Sequence, residues 1–226
     1  MRADRPQAAD DRQVVCMEKT EFGFKDAGLI LLQAVDERDL ASIEEEYAYI
    51  REMTKEEVLL RTYTVSDWNR QLSPWRAPAV FGKEDFGGGA AETLSEILRD
   101  CRDPEAIYCI GGYSLAGLFA LWSACRAELF AGVAAASPSV WFPGFTDYLR
   151  KERMHSGYVY LSLGDREDRT KNPVMRTVKE RIEETRDILT GQEIPCLLEW
   201  NPGNHFQDAE KRTAAAFART IEYLKR

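Results

Sequence analysis

Seven short runs of apolar and β-branched residues punctuate this chain, at 13–17, 29–32, 58–65, 106–110, 132–136, 158–163 and 195–200. Each has strand length rather than helix length. Residues 29–32 read Leu-Ile-Leu-Leu, with no polar position at all. A strand solvated on one face alternates apolar and polar residues. A continuous run needs cover on both faces, the condition of a parallel sheet sandwiched by helices. Between the runs lie amphipathic segments, 40–53, 90–101, 174–189 and 209–224, and one segment, 114–125, apolar almost all round. Strand–helix alternation of this kind predicts an α/β fold with a mostly parallel central sheet and helices on both faces.

With 226 residues, 44% of them hydrophobic, the chain can bury a substantial core, which excludes a disordered or fibrous class. It reads as one domain over residues 1–226, with the charged, Ala-rich residues 1–12 as a flexible N-terminus. No repeat or low-complexity tract interrupts it. Thirty Lys and Arg against 38 Asp and Glu leave a net charge of −8. That balance opposes binding to phosphate backbones or anionic membranes, so neither a nucleic acid nor a membrane is expected as partner. No apolar stretch approaches the roughly 20 residues of a membrane span, and the N-terminus lacks a signal-peptide core. Five widely spaced cysteines without a secretion signal suggest free thiols and a cytoplasmic protein. No CxxC or HExxH pair appears, so no metal site is expected.

The chemistry concentrates in Gly112-Tyr113-Ser114-Leu115-Ala116-Gly117, which follows the run 106–110 and opens the apolar helix. A serine on a sharp strand-to-helix turn is a nucleophile elbow, and the tight backbone demands small neighbours. Gly112 and Ala116 supply them; the usual pattern ends in Gly where this chain has Ala. The helix start also offers backbone N–H groups, with Leu115 N–H aimed at a developing oxyanion. A serine needs a base, and the base an acid. Only two histidines exist. His155 stands in a charged stretch and reads as a solvated side chain. His205, just after the run 195–200, occupies the kind of loop where α/β active sites form. For the acid, the run 158–163 leads into Gly164-Asp165-Arg166-Glu167-Asp168-Arg169. Glu167, three residues past the glycine, points back over the sheet edge; Asp165 and Asp168 are the runners-up.

Those motifs, with Ser137-Pro138-Ser139-Val140-Trp141 and Gly203-Asn204-His205, resemble the putative-esterase family of α/β hydrolases, which includes esterase D-type and enterochelin (siderophore) esterases. The resemblance covers most of the chain from about the first strand onward. It implies the α/β-hydrolase fold without a large cap domain, Ser114 as nucleophile, His205 as base and Glu167 as acid. The Gly-x-x-Glu before the histidine is closest to the siderophore-esterase branch. The chain is shorter than many members. After residues 29–32 it carries Gln33-Ala34-Val35 instead of a His-Gly signature. The second oxyanion donor is then the N–H of Ala34 or Val35.

Three tryptophans, Trp68, Trp75 and Trp141, follow expected strands; they are core residues or the walls of one substrate pocket, and the pocket reading is adopted. Gly87-Gly88-Gly89 reads as a helix start rather than a phosphate cradle, because no GK[ST] follows. The expectation is a serine esterase acting on a small-molecule ester through an acyl-enzyme, without metal or organic cofactor. Two other classes use the same residues: an acyltransferase or thioesterase, and a non-catalytic binding protein that retains the fold. Nothing in the sequence indicates an oligomeric state.

Overall fold

The computed structural model describes residues 17–226. The expected N-terminal segment 1–12, and all but Met17 of the expected strand 13–17, lie outside them. Strands β1 (Glu18–Gly23) and β2 (Leu29–Val35) are followed by a single turn, α1 (Glu37–Leu40), and α2 (Ile43–Thr54). Strand β3 (Leu59–Thr64) leads through α3 (Trp68–Gln71) into a small hairpin, β4 (Arg76–Ala77) and β5 (Phe86–Gly87), then α4 (Ala90–Asp100). Next come β6 (Ile107–Tyr113), α5 (Ser114–Arg126), β7 (Phe130–Ala136), α6 (Phe145–Lys151) and β8 (Val159–Gly164). A 3-10 turn, Met175–Thr177, opens into α7 (Val178–Gly191), and β9 (Cys196–Asn201) and α8 (Ala209–Leu224) come last.

Seven strands form one sheet in the order β1-β3-β2-β6-β7-β8-β9. Only β1 runs antiparallel to its neighbour. The apolar runs behave as a two-faced sheet requires. Along β2, Ile30, Leu32 and Ala34 enter one core while Leu29, Leu31 and Val35 enter the other. Val159 and Leu161 of β8 join the first, and Tyr158 and Tyr160 the second. Helices α4, α5 and α7 cover the first face; α2 and α8 cover the second. Helix α5 is buried at every position from Leu115 to Cys125. That is why its sequence shows no polar stripe. Each large apolar side chain so enclosed, such as Leu31 or Phe217, contributes roughly 2 kcal/mol.

Parallel pairing of β2, β6, β7, β8 and β9 brings their carboxyl ends to one edge of the sheet. Among the described residues no inserted domain caps that edge. The long connection after β3 folds instead as α3 and the β4–β5 hairpin. Gly89 is the residue that precedes α4, as a helix-start reading requires, and its amide bonds to Arg70 O at 2.7 Å.

Besides the short α1, α3 and β4–β5 hairpin, two elements differ from the sequence expectation. Strand β1 reads Glu-Lys-Thr-Glu-Phe-Gly and has no apolar run, because an edge strand needs cover on one side only. It is held by cross-strand pairs such as Arg61 to Glu21 at 2.8 Å. Helix α6 lies in a stretch without clear periodicity; Phe145 and Leu149, one turn apart, anchor it.

One buried carboxyl group lies away from the carboxyl edge of the sheet. Glu46 of α2 faces Gln33 of β2, whose Nε2 donates to its Oε2 at 3.4 Å. Burial pushes the Glu46 carboxyl up to about 8, and the nearby carboxylates Asp39 and Glu210 push the same way, against the Gln33 hydrogen bond. The second oxygens of both side chains have no partner. A protonated Glu46 offers an O–H donor, which an ionised one lacks. In the unfolded chain the group ionises near 4.5, in the folded chain near 8. Between those values the unfolded state holds fewer protons, so stability falls as pH rises through that window. Glu46→Gln keeps the hydrogen bonds and removes the ionisation. Its Tm should exceed wild type by roughly 5 °C at pH 7, and the difference should vanish at pH 4, measured by thermal circular dichroism.

Candidate active site

Strand β6 ends in the elbow. Ser114 opens α5 with φ +57°, a left-handed conformation unusual for a non-glycine residue. Strain of this kind persists only where the surroundings enforce it, and it holds the side chain clear of the sheet. Gly112 makes the turn possible: a Cβ there would lie 2.7 Å from the Ala116 Cβ, at φ +156°. The small pair Gly112 and Ala116 is thus a packing necessity. The first amides of α5, including Leu115 N–H, have no partner within the helix.

Ser114 Oγ lies 3.0 Å from His205 Nε2, and His205 Nδ1 lies 2.7 Å from Glu167 Oε2. An ionised carboxylate only accepts, so Nδ1 carries the ring proton and Nε2 accepts from Ser114. Ser139 Oγ sits 3.2 Å from Ser114 Oγ. With the Ser114 proton directed at His205, Ser139 is the donor in that contact.

Glu167 is held from every side. Its Oε1 accepts from Ser137 Oγ at 2.7 Å, from Gly164 N–H at 2.7 Å and from Arg212 Nη1 at 3.1 Å. The carboxylate and the guanidinium are both buried. Breaking such a pair by removing one partner typically costs about 3–5 kcal/mol. Gly164 is required here, because a Cβ would stand 2.5 Å from Gly203 O and 2.9 Å from Glu167 Oε1. Tyr113 O–H donates to the His205 carbonyl at 2.8 Å. Burial pushes the Tyr113 phenol above its ordinary value, which keeps it a donor.

The expected acids separate cleanly. Asp165 is exposed and accepts from Gly203 N–H at 2.8 Å, bracing the loop that bears His205. Asp168, half-buried, is not among the groups bonded to the ring. His155 precedes β8 and therefore lies at the opposite end of the strands, 3.8 Å from Glu128. Ala34 and Val35 are ladder residues at the end of β2, in register with Tyr63 and Thr64. Trp75 donates Nε1–H to Pro143 O at 3.0 Å and packs on Phe142 and Tyr148. Trp141 is buried among Phe81 and Phe86, and Trp68 packs against the same core. Phe206, 89% exposed, stands edge-on to the His205 ring. Among the described residues, no group of three or more His, Cys, Asp or Glu could hold a metal ion.

Sequence reasoning missed Arg212, Tyr113, Ser137 and Ser139 as parts of this network. Arg212 had a readable signal. It lies one helical turn before Ala216 on the buried stripe of α8, and a buried arginine requires a carboxylate partner.

A mostly parallel sheet, helices on both faces and a strained serine between a central strand and a buried helix define an α/β hydrolase fold. The chain is similar to an IroE-like serine hydrolase from Shewanella oneidensis, at 14% identity and a TM-score of 0.69, over 92% of this chain and 75% of that one. It is similar to the siderophore hydrolase EstA from Aspergillus nidulans, at 17% identity and a TM-score of 0.61, over 100% of both chains. It also resembles a carboxylesterase from Bacillus cereus, at 16% identity and a TM-score of 0.60, over 90% of this chain and 93% of that one. No family model and no curated protein matches the sequence itself.

Gly112→Ala should lower stability to urea by about 2–4 kcal/mol, through the clash with Ala116 and the φ it must adopt. The control is Gly28→Ala, where the new Cβ meets nothing within 4 Å; it should change stability by under about 0.5 kcal/mol.

Proposed function

We propose that the protein is a serine esterase that cleaves a small-molecule carboxylic ester through Ser114, His205 and Glu167. The observation that carries this reading is the unbroken line of contacts, 3.0 Å from serine to imidazole and 2.7 Å from imidazole to carboxylate. The esterase and serine hydrolase neighbours support ester hydrolysis as the reaction class. We read residues 1–226 as a single hydrolase domain acting in the cytoplasm, supported by free Cys101, Cys109, Cys125 and Cys196.

His205 Nε2 takes the Ser114 proton as Oγ attacks the ester carbonyl. Glu167 holds the ring in the required tautomer and stabilises the imidazolium. Leu115 N–H stabilises the oxyanion; Ala34 and Val35, expected as the second donor, have their N–H groups in the parallel ladder of β2. The imidazolium then gives its proton to the leaving alkoxide, which leaves an acyl-enzyme. His205 then takes a proton from the water that attacks the acyl carbon and gives it to Ser114 Oγ as the acyl bond breaks and the acid is released. Trp68, Trp75 and Trp141 form walls around the bound ester.

Ser114→Ala should retain its fold and lower kcat for p-nitrophenyl acetate by roughly 10⁴-fold or more, since such residues act as a unit. His205→Ala should do the same, whereas His155→Ala should leave kcat within about twofold of wild type. Near-wild-type turnover by folded Ser114→Ala would overturn the reading. Wild-type activity should fall in acid, because an imidazolium cannot accept the serine proton.

A comparison of carboxylate variants tests the acid. Glu167→Gln keeps the shape and loses the charge, so kcat should drop at least about 10²-fold. Asp168→Asn should have little effect. Asp165→Asn should act mildly, through the His205 loop, with a lower Tm as its signature.

A further inference from the structure

We infer that Arg212 is a positioning residue for the proposed triad: it fixes the three segments that carry the triad and offsets the charge of Glu167. The inference rests on the esterase reading. Arg212 is 4% exposed, on the helix that follows the His205 loop. Its guanidinium reaches each segment that bears a triad member. Nη1 donates to Glu167 Oε1 at 3.1 Å and to the phenol oxygen of Tyr113, the residue before Ser114, at 3.1 Å. Nη2 donates to Pro202 O at 2.8 Å, at the root of the loop that carries His205. Nη1 also stands 3.4 Å from Ser137 Oγ, itself a donor to the same carboxylate oxygen. A planar, always-charged fork can hold these directions together; an ammonium cannot.

The pair divides the carboxylate between two partners. Oε2 faces His205 Nδ1, and Oε1 faces Arg212. Of the charged residues flanking Glu167, Asp165 and Arg166 lie 3.7 Å from each other and are exposed, and Asp168 is half-buried and makes no hydrogen bond to the ring. Tyr113, the remaining titratable group against the cluster, is kept neutral by burial. Glu167 and Arg212 therefore set the charge that the imidazole meets. Together they are neutral, so protonating His205 leaves the buried cluster with one net positive charge. Without the guanidinium, protonating His205 would cancel the carboxylate. Arg212 thus favours the neutral imidazole that accepts the serine proton.

The test is the pH profile of inactivation by diisopropyl fluorophosphate, which reads His205 through Ser114 without an ester substrate, beside kcat and KM for p-nitrophenyl acetate. Arg212→Met should move the acid limb of inactivation to higher pH by about one unit, a tenfold loss at the foot of the wild-type limb. Arg212→Lys keeps the charge but not the fork; its limb should coincide with wild type while kcat falls about tenfold at unchanged KM. If Arg212→Met does not fold, Arg212→Lys decides. A wild-type limb in folded Arg212→Met, or a displaced limb or undiminished kcat in Arg212→Lys, would overturn the role of Arg212. A wild-type enzyme that the fluorophosphate does not inactivate would instead overturn the esterase reading, and the inference with it.

Discussion

Everything at the candidate site depends on parallel pairing across four neighbouring strands. Because β6, β7, β8 and β9 run the same way, the segments leaving their carboxyl ends all emerge at one edge. Ser114 comes after β6, Ser137 and Ser139 after β7, Glu167 after β8, and His205 after β9. Ser114 and His205, 91 positions apart in the chain, thereby come within hydrogen-bond distance. The antiparallel strand β1 lies at the far side of the sheet and carries none of these residues.

The edge is polar, and its burial creates the second constraint. A carboxylate taken out of water must be compensated, or it protonates. Glu167 is compensated by a guanidinium, a hydroxyl and a backbone amide on one oxygen, and by His205 on the other. Glu46, buried with only an amide partner, goes the other way and is held as the neutral acid. Two buried glutamates in one chain thus have different surroundings: one has a cation beside it and the other does not. The same compensation explains why the segment Ser137-Pro138-Ser139 matters. Its two hydroxyls bond the Glu167 carboxylate and Ser114 Oγ in turn, from a backbone that departs from helix and strand geometry at Ser137, φ +42°.

Much of this was legible in the residues. Six apolar runs mark six of the seven sheet strands, since continuous hydrophobicity suits a parallel sheet covered on both faces. Gly112, Ser114 and Ala116 mark the elbow through their size. Of the two histidines, the one that follows a strand, His205, lies against Ser114 and Glu167, and His155 lies at the other end of the strands. The polar edge strand β1 was not legible, because an edge does not demand an apolar run. The short helix α6 was not, because its few anchors, such as Phe145 and Leu149, are too sparse to show a period.

The set of elements and the residue types at their ends could be read from the chain alone. Periodicity and residue size are local properties and survive in a one-dimensional string. Which of three adjacent carboxylates meets His205, and which group compensates it, was decided only by the packing of the folded molecule. Asp165, Glu167 and Asp168 share one short turn and differ little as isolated side chains. Their roles are set by the Gly164 turn, which directs Asp165 to the Gly203 amide and Glu167 toward the imidazole, and by Arg212 arriving from a helix 45 residues away. Electrostatic compensation of a buried charge depends on distance in space, and the chain order carries no measure of it.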